Sequence, residues 1–349
     1  MKTNLSVRPS RRTSTARSLD RMIKKLGAKK GIDVSEARAQ LRDKLKELNA
    51  KRALGYLAYH GIIDLNLPDG TTVAILPDWH IPAHDKQVSW MVKEWLRDNQ
   101  PDILIIIGDA VDMFGLSRWP KAPGVIANTQ HEYDEVRRML DEVIRLSGAL
   151  HVFYILGNHE DRNRRTQIDP NANVSGLIDP NTKEPFLNFH NLMGYTKSDP
   201  ITFIYGALGE GGMAGGLVVN GDIDFIHGLK VRSKPGQSPA AESDNSGRSV
   251  WHGHTHRLGK RSRRTTKRGV IRSYEGGHLS DRRHAYMGYA IKPNWTMGVS
   301  KGCVHGGKLH IQLLPILPVT DAGGQRRHAM VDGDKVYKTA SHLKDGVRS

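Results

Sequence analysis

The sequence predicts an α/β domain on three observations: short apolar runs ending in Gly or Asp, amphipathic stretches between them, and a second half rich in turn-bounded strands. Val73 to Leu76, Ile103 to Ile107 and Val152 to Leu156 are continuous apolar runs, as expected of strands buried on both faces. Between them Val88, Met91, Val92, Trp95 and Leu96, and then Tyr133, Val136, Leu140, Val143 and Ile144, recur at three and four residues and predict helices. Past Gly206 the helices thin out. Leu217 to Val219 and Ile223 to Ile226 flank Asn220-Gly221, a strong hairpin turn pair. Further strands are expected at Ser249 to His252, Val270 to Tyr274, Met297 to Val304 and Leu309 to Leu314, the last pair turned by Gly306-Gly307.

Two long segments read as loops, Asp161 to Pro200 and Lys230 to Gly247. Near the N-terminus Asp33 and Glu36 form a capping-box pattern that opens a helix reaching roughly Leu57, with Val34, Ala37, Leu41 and Leu45 as its stripe. A single core stops growing near ~250–300 residues, so a chain of 349 is expected to hold one large domain with appendages. The expected division is a basic tail and helical extension over 1–60, the α/β domain over 61–318, and a charged tail over 319–349.

Charge narrows the partners. The net charge of +16 attracts polyanions, and nucleic acid leads that class. The excess is clustered: residues 1–50 hold 14 Lys/Arg against 5 Asp/Glu. A second run, from Arg257 through Lys260, Arg261, Arg263, Arg264, Lys267 and Arg268 to Arg272, contains no acid. No segment approaches the ~20 apolar residues of a membrane span, and the basic N-terminus lacks the apolar core of a secretory signal. A cytoplasmic protein without a membrane partner is expected. The lone Cys303 cannot form an intrachain disulfide, which fits a reducing compartment.

Five clusters of metal-capable side chains stand at predicted strand ends: Asp78-Trp79-His80, Gly108-Asp109-Ala110-Val111-Asp112, Gly157-Asn158-His159-Glu160, His227-Gly228 and Gly253-His254-Thr255-His256. Groups just beyond strand carboxyl ends converge on one crevice in an α/β sheet. Mixed imidazole and carboxylate donors suit manganese, iron, zinc or nickel. Two such ions activate a shared water and stabilise both the attacking and the leaving oxygen of a displacement at phosphorus, which points to phosphoester hydrolysis.

In this order the clusters resemble the signature of the calcineurin-like metallophosphoesterases, over roughly residues 71–314. The Gly-His-x-His ending is similar to the branch that holds phosphodiesterases and nuclease subunits of the SbcCD type. The resemblance implies a β-sandwich of two mixed sheets flanked by helices, and two divalent metal ions, manganese first, with iron, zinc or nickel as alternatives. By the same resemblance Asp78, His80 and His256 would hold one ion, Asn158, His227 and His254 the other, and Asp109 would bridge them. His159 would protonate the leaving oxygen, with the Asp112 carboxylate orienting its ring.

Phosphoprotein phosphatases of the family carry Asp-Arg-Gly where this chain has Asp112-Met113-Phe114, so their phosphate-clamping arginine is missing and a diester is expected. Arg162 and Arg257, beside two ligand clusters, are expected to hold phosphates flanking the scissile bond. The expected function is a phosphodiesterase or nuclease acting on nucleic acid through a metal-activated water. The alternatives are a small-molecule phosphodiesterase for cyclic or dinucleotide substrates, and a nucleic-acid-binding assembly protein that works through its basic N-terminal arm. Nuclease subunits of this type work beside an ATPase; this chain has no Gly-x-x-x-x-Gly-Lys-Ser/Thr loop, so an ATPase or assembly partner would be a separate chain.

Overall fold

The computed structural model describes residues 57–117, 128–165, 177–180, 185–206, 215–287 and 294–339, with positions 36, 39–43, 47 and 183 besides. The apolar runs do become the central strands. β3 (Thr72–Leu76), β4 (Ile103–Ile106) and β5 (His151–Ile155) lie side by side in parallel, and almost every residue in them is buried. They sit in a nine-stranded sheet with β1 (Ala58–His60), β6 (Ile201–Tyr205), β12 (Gly298–His305), β13 (Lys308–Thr320), β14 (Arg326–Asp332) and β15 (Lys335–Lys338), in the order β1-β6-β5-β4-β3-β12-β13-β14-β15. A second sheet of six strands runs β10 (Leu258–Thr265), β11 (Gly269–Gly276), β9 (Ser249–His252), β8 (Ile223–Ile226), β7 (Gly216–Val219), β2 (Ile62–Leu65). Both sheets mix parallel and antiparallel pairs.

The alternate faces of the central strands fill two cores. Ile75, Ile105 and Phe153 meet Leu217, Phe225 and Trp251 of the second sheet. Leu76, Ile106 and Tyr154 meet the helices α1 (Lys86–Asn99) and α2 (Thr129–Ser147). Each helix opens on a side-chain cap, Asp85 accepting from Gln87 and Val88 and Asn128 from His131, and each ends in a left-handed residue, Gln100 and Gly148. The result is the two-sheet, helix-flanked sandwich that the resemblance implied.

Several expectations need correction. The charged tail placed at 319–349 is instead sheet as far as Lys338: β14 and β15 form a hairpin on β13, with Met330 and Tyr337 buried in the helix-side core. Most of its other residues face water, so it lacks the alternation by which a half-buried strand is recognised. β1 likewise belongs to the main sheet, pairing in parallel with β6, rather than to an extension over 1–60. The loop expected over Lys230 to Gly247 contains helix α3 (Gln237–Ser246), whose buried residues are only Ser238, Pro239 and Ser243 and so leave no apolar stripe. Of the expected N-terminal helix, the described positions 36, 39–43 and 47 are helical and Leu41 is fully buried; Leu57, at its expected end, is a bend ahead of β1, and the remainder lies outside the described residues.

Candidate active site

The five clusters do converge. Backbone hydrogen bonds zip the strand-end loops together: Trp79 and His80 both donate to the Asp109 carbonyl at 2.9 and 2.8 Å, Asp112 donates to Ile81 at 2.9 Å, and Gly253 donates to His227 at 3.1 Å. Close approach demands glycine. A Cβ on Gly108, at φ +75°, would lie 2.4 Å from the Gly157 nitrogen, and one on Gly157 would lie 2.2 Å from Asp109 Oδ1.

Three groups of donor atoms result, each with all its atoms within 4.8 Å of one another: Asp78, His80 and His256; His80, Asp109 and His159; and Asp109, His227 and His254. Asn158 joins the third group through its side-chain oxygen, 3.1 Å from His227 Nε2. Four of these residues, His80, Asp109, His254 and His256, have left-handed backbone, at φ 56, 47, 62 and 56°. Such conformations are strained for any residue with a side chain and cluster at functional sites.

The hydrogen bonds select the tautomers. His80 donates Nδ1–H to Asp112 Oδ2 at 3.1 Å, and His227 donates Nδ1–H to the Ile107 carbonyl at 2.7 Å, so the neutral form of each ring carries its lone pair on Nε2, the nitrogen that faces the centre. Burial holds His254 down at about 4 and pushes His256 well below the usual imidazole range, which keeps both neutral as ligands must be. Burial also opposes protonation of His227, but the neighbouring Asp109 carboxylate outweighs it and lifts the ring to about 10.

Asp78 tests whether these residues suit cations. It is fully buried, and neither carboxylate oxygen has a hydrogen-bond partner. Burial pushes its pKa up to about 7. An ionised carboxylate left in that state costs several kcal/mol, and a divalent cation among the same side chains removes the penalty. The donor set therefore fits divalent metal.

Around this centre the structure differs from expectation at Asp112 and at Arg257. The His159 ring is oriented by the Asp112 main chain, its Nδ1–H donating to the Asp112 carbonyl at 2.6 Å. The Asp112 carboxylate is given to His80 and stands 3.8 Å from His159 Nδ1. Arg162 reaches the site from the turn after His159, donating to the Asp112 carbonyl at 2.7 Å and to His159 Nε2 at 2.9 Å. A cation thus stands beside Asp112-Met113 although Met113 itself is not arginine, and the missing arginine alone does not single out a diester. Arg257, expected to grip phosphate, is only 4% exposed and part of the wall.

Glu160 is the residue whose part the sequence left open. Its buried carboxylate accepts from the backbone N–H groups of Asp109 at 2.9 Å, Ala110 at 3.0 Å and Gly157 at 2.8 Å, and from the Tyr154 hydroxyl at 2.6 Å. One carboxylate therefore ties the Asp109 loop to the Gly157-Asn158 turn. The available signal was the acid closing the Gly157-Asn158-His159-Glu160 run, with nothing to say which way it points.

The profile of the calcineurin-like phosphoesterases matches residues 71–258, more than half of the 349-residue chain, and that span carries every candidate ligand. The chain belongs to the calcineurin-like phosphoesterase family. The family consists of phosphoester hydrolases with dinuclear metal centres, for which the His and Asp groups above are the candidate in this phosphoesterase. The Gene 54 proteins of Mycobacterium phage L5 and Mycobacterium phage D29 are each 24% identical to it, over 257 and 251 residues, covering 70% of this chain and 93% of theirs. Among solved structures, Vps29 of Chaetomium thermophilum overlaps 77% of this chain and 100% of its own, at 11% identity and a TM-score of 0.35. Vacuolar Protein Sorting 29 of Cryptosporidium parvum overlaps 75% and 97%, at 14% identity and the same TM-score of 0.35. Among the described residues of the phosphoesterase no helix is long and apolar enough to cross a membrane.

Proposed function

We propose that this phosphoesterase is a metal-dependent phosphodiesterase that cleaves nucleic acid. The observation that carries the substrate class is the β10–β11 hairpin, which starts two residues after His256 and whose first strand and turn are largely exposed. Its eight-residue first strand spans about 26 Å at ~3.3 Å per residue. Between Leu258 and Tyr274 it holds seven Lys/Arg and no acid. Arg263 is ion-paired with Asp244 at 3.0 Å and Arg268 donates to the Gly221 carbonyl at 3.2 Å. Lys260, Arg264 and Arg272 share one face of the hairpin by register, as a backbone-tracking phosphate rail requires.

Asp78, His80 and His256 would hold one divalent ion, and Asn158, His227 and His254 the second, with Asp109 common to both; manganese is the first choice and iron, zinc or nickel the alternatives. Bound there, the ions would supply an activated water and charge stabilisation for in-line displacement at phosphorus. The protein's own residues do the rest. His80 and His227 are fixed by their Nδ1 bonds, and the half-buried Arg162 stands where a substrate phosphate can draw it away from His159. Because an arginine can only donate, His159 Nε2 accepts in the present arrangement. Delivery of a proton from Nε2 to the leaving oxygen requires that exchange first, and then the uptake of a proton from water at the Nε2 that Arg162 has left.

The test is a substrate panel with added manganese: a phosphomonoester, a simple diester, cyclic nucleotides, and single- and double-stranded DNA and RNA. Cleavage of nucleic acid that weakens steeply with salt is expected. Salt-insensitive turnover of cyclic or dinucleotides with every polymer left intact would replace this reading with the small-molecule one.

A further inference from the structure

Two loops that leave the site meet in a ring stack that the chemistry above does not use. Phe114 lies two residues past Asp112, on a 3-10 turn (Phe114–Leu116) launched by Met113 in left-handed backbone at φ 53°. Tyr286 lies on a second such turn (Ala285–Met287), beyond the segment in which His278 bridges to Asp78 and Ser280 to His84. The two rings lie parallel, with centroids 4.0 Å apart and planes within 2°. His284 stands edge-on to Tyr286 at 4.6 Å. Both aromatic residues are half-buried, so the stack belongs to the rim of the molecule and not to its core. Arg162 anchors the same corner, its Nη1 lying 3.4 Å from the Met113 carbonyl.

A cation beside the reacting centre, next to an aromatic pair with partial exposure, is the equipment for a phosphate with a base attached. Stacking on such rings is sequence-tolerant and tightens binding by roughly 5- to 150-fold per base. Resting on the nuclease reading, we propose that the Phe114–Tyr286 pair is a ledge on which an unpaired base of the substrate lies while its neighbouring phosphate occupies the centre. A base inside a duplex is already stacked on both sides and must be unpaired to use the ledge, so the favoured substrate is single-stranded at the cut.

The experiment compares Phe114→Ala, Tyr286→Ala and Tyr286→Phe with the wild type on three strands of equal length: a single-stranded oligodeoxynucleotide, the same strand carrying abasic sites, and the duplex. KM and kcat are measured with manganese, and binding is measured by fluorescence anisotropy without it. The alanine variants are expected to raise KM on the base-bearing strand about 10-fold more than on the abasic strand, with kcat moving less. Tyr286→Phe should stay near wild type, because the ring and not the hydroxyl carries the contact. Equal losses on both strands, or none on the base-bearing strand, would overturn the ledge. A wild type that cleaves no strand would instead remove the nuclease reading, and anisotropy still decides the ledge: base-dependent binding that the alanine variants lose sustains it, and base-independent binding sinks it.

Discussion

Glu160 does not belong to any of the donor groups, yet Asp109 depends on it. Replacing it by glutamine turns one acceptor into a donor that faces backbone N–H groups, and an unsatisfied buried group costs about 1–3 kcal/mol. Glu160→Gln is expected to lower both the urea midpoint and the bound metal per chain; unchanged metal content at a lowered midpoint would mean that the residue serves the fold alone. Asp109 and His159 separate differently. Asp109→Asn should lose metal and activity together, whereas His159→Asn should keep metal and hydrolyse slowly, as metal analysis of the purified variants will read. A metal-free His159→Asn beside a metal-loaded Asp109→Asn would reverse the assignment. At this scale the candidate donors were legible because each stands where an apolar run stops at a polar residue. Hydrogen-bond direction was not legible: nothing in Asp112 says that its carbonyl serves His159 and its carboxylate His80.

Among the elements, β3, β4 and β5 were readable because strands buried on both faces leave no polar position to blur the pattern. β10 was hidden for the opposite reason. As the edge of its sheet it keeps arginines and lysines on both faces, so only its pairing with β11 marks it as a strand. Those charges also defend the edge against strand addition by another chain. The double substitution Lys260→Glu and Arg264→Glu is expected to weaken DNA binding and to make the slope of log affinity against log salt shallower, by roughly 0.7 to 0.9 for each phosphate no longer neutralised. An unchanged slope would mean that the hairpin is not where the phosphates are held.

Considered whole, the molecule is larger than its expected domain. The β14–β15 hairpin carries Met330 and Tyr337 into the helix-side core, and Trp95 Nε1 of α1 donates to Asp332 at 2.9 Å across it. A chain ending at Thr320 gives up this packing and uncovers Ile316, so it should express as an aggregating or loosely folded protein. Gel filtration and thermal melting will show whether it does; a monomer that melts like the full chain would mean that the hairpin is dispensable. The hairpin signal was present in Gly333-Asp334, a two-residue turn between Asp332 and Lys335. Flanking strands rich in charge, with Val331 and Val336 turned to water, masked it.

The left-handed backbone of His80, Asp109, His254 and His256 sets a limit on how this protein could be improved. Each of those positions stores strain of order 1–3 kcal/mol, and glycine would relieve it. Screening random variants for heat resistance alone would therefore reward the loss of the donors themselves, and the hardiest survivors would be inert. The bound ions reverse that pressure, because whatever binds only the folded chain adds its binding energy to stability. An evolution campaign run in the presence of metal should keep the four residues, and the same campaign run in chelator should discard them.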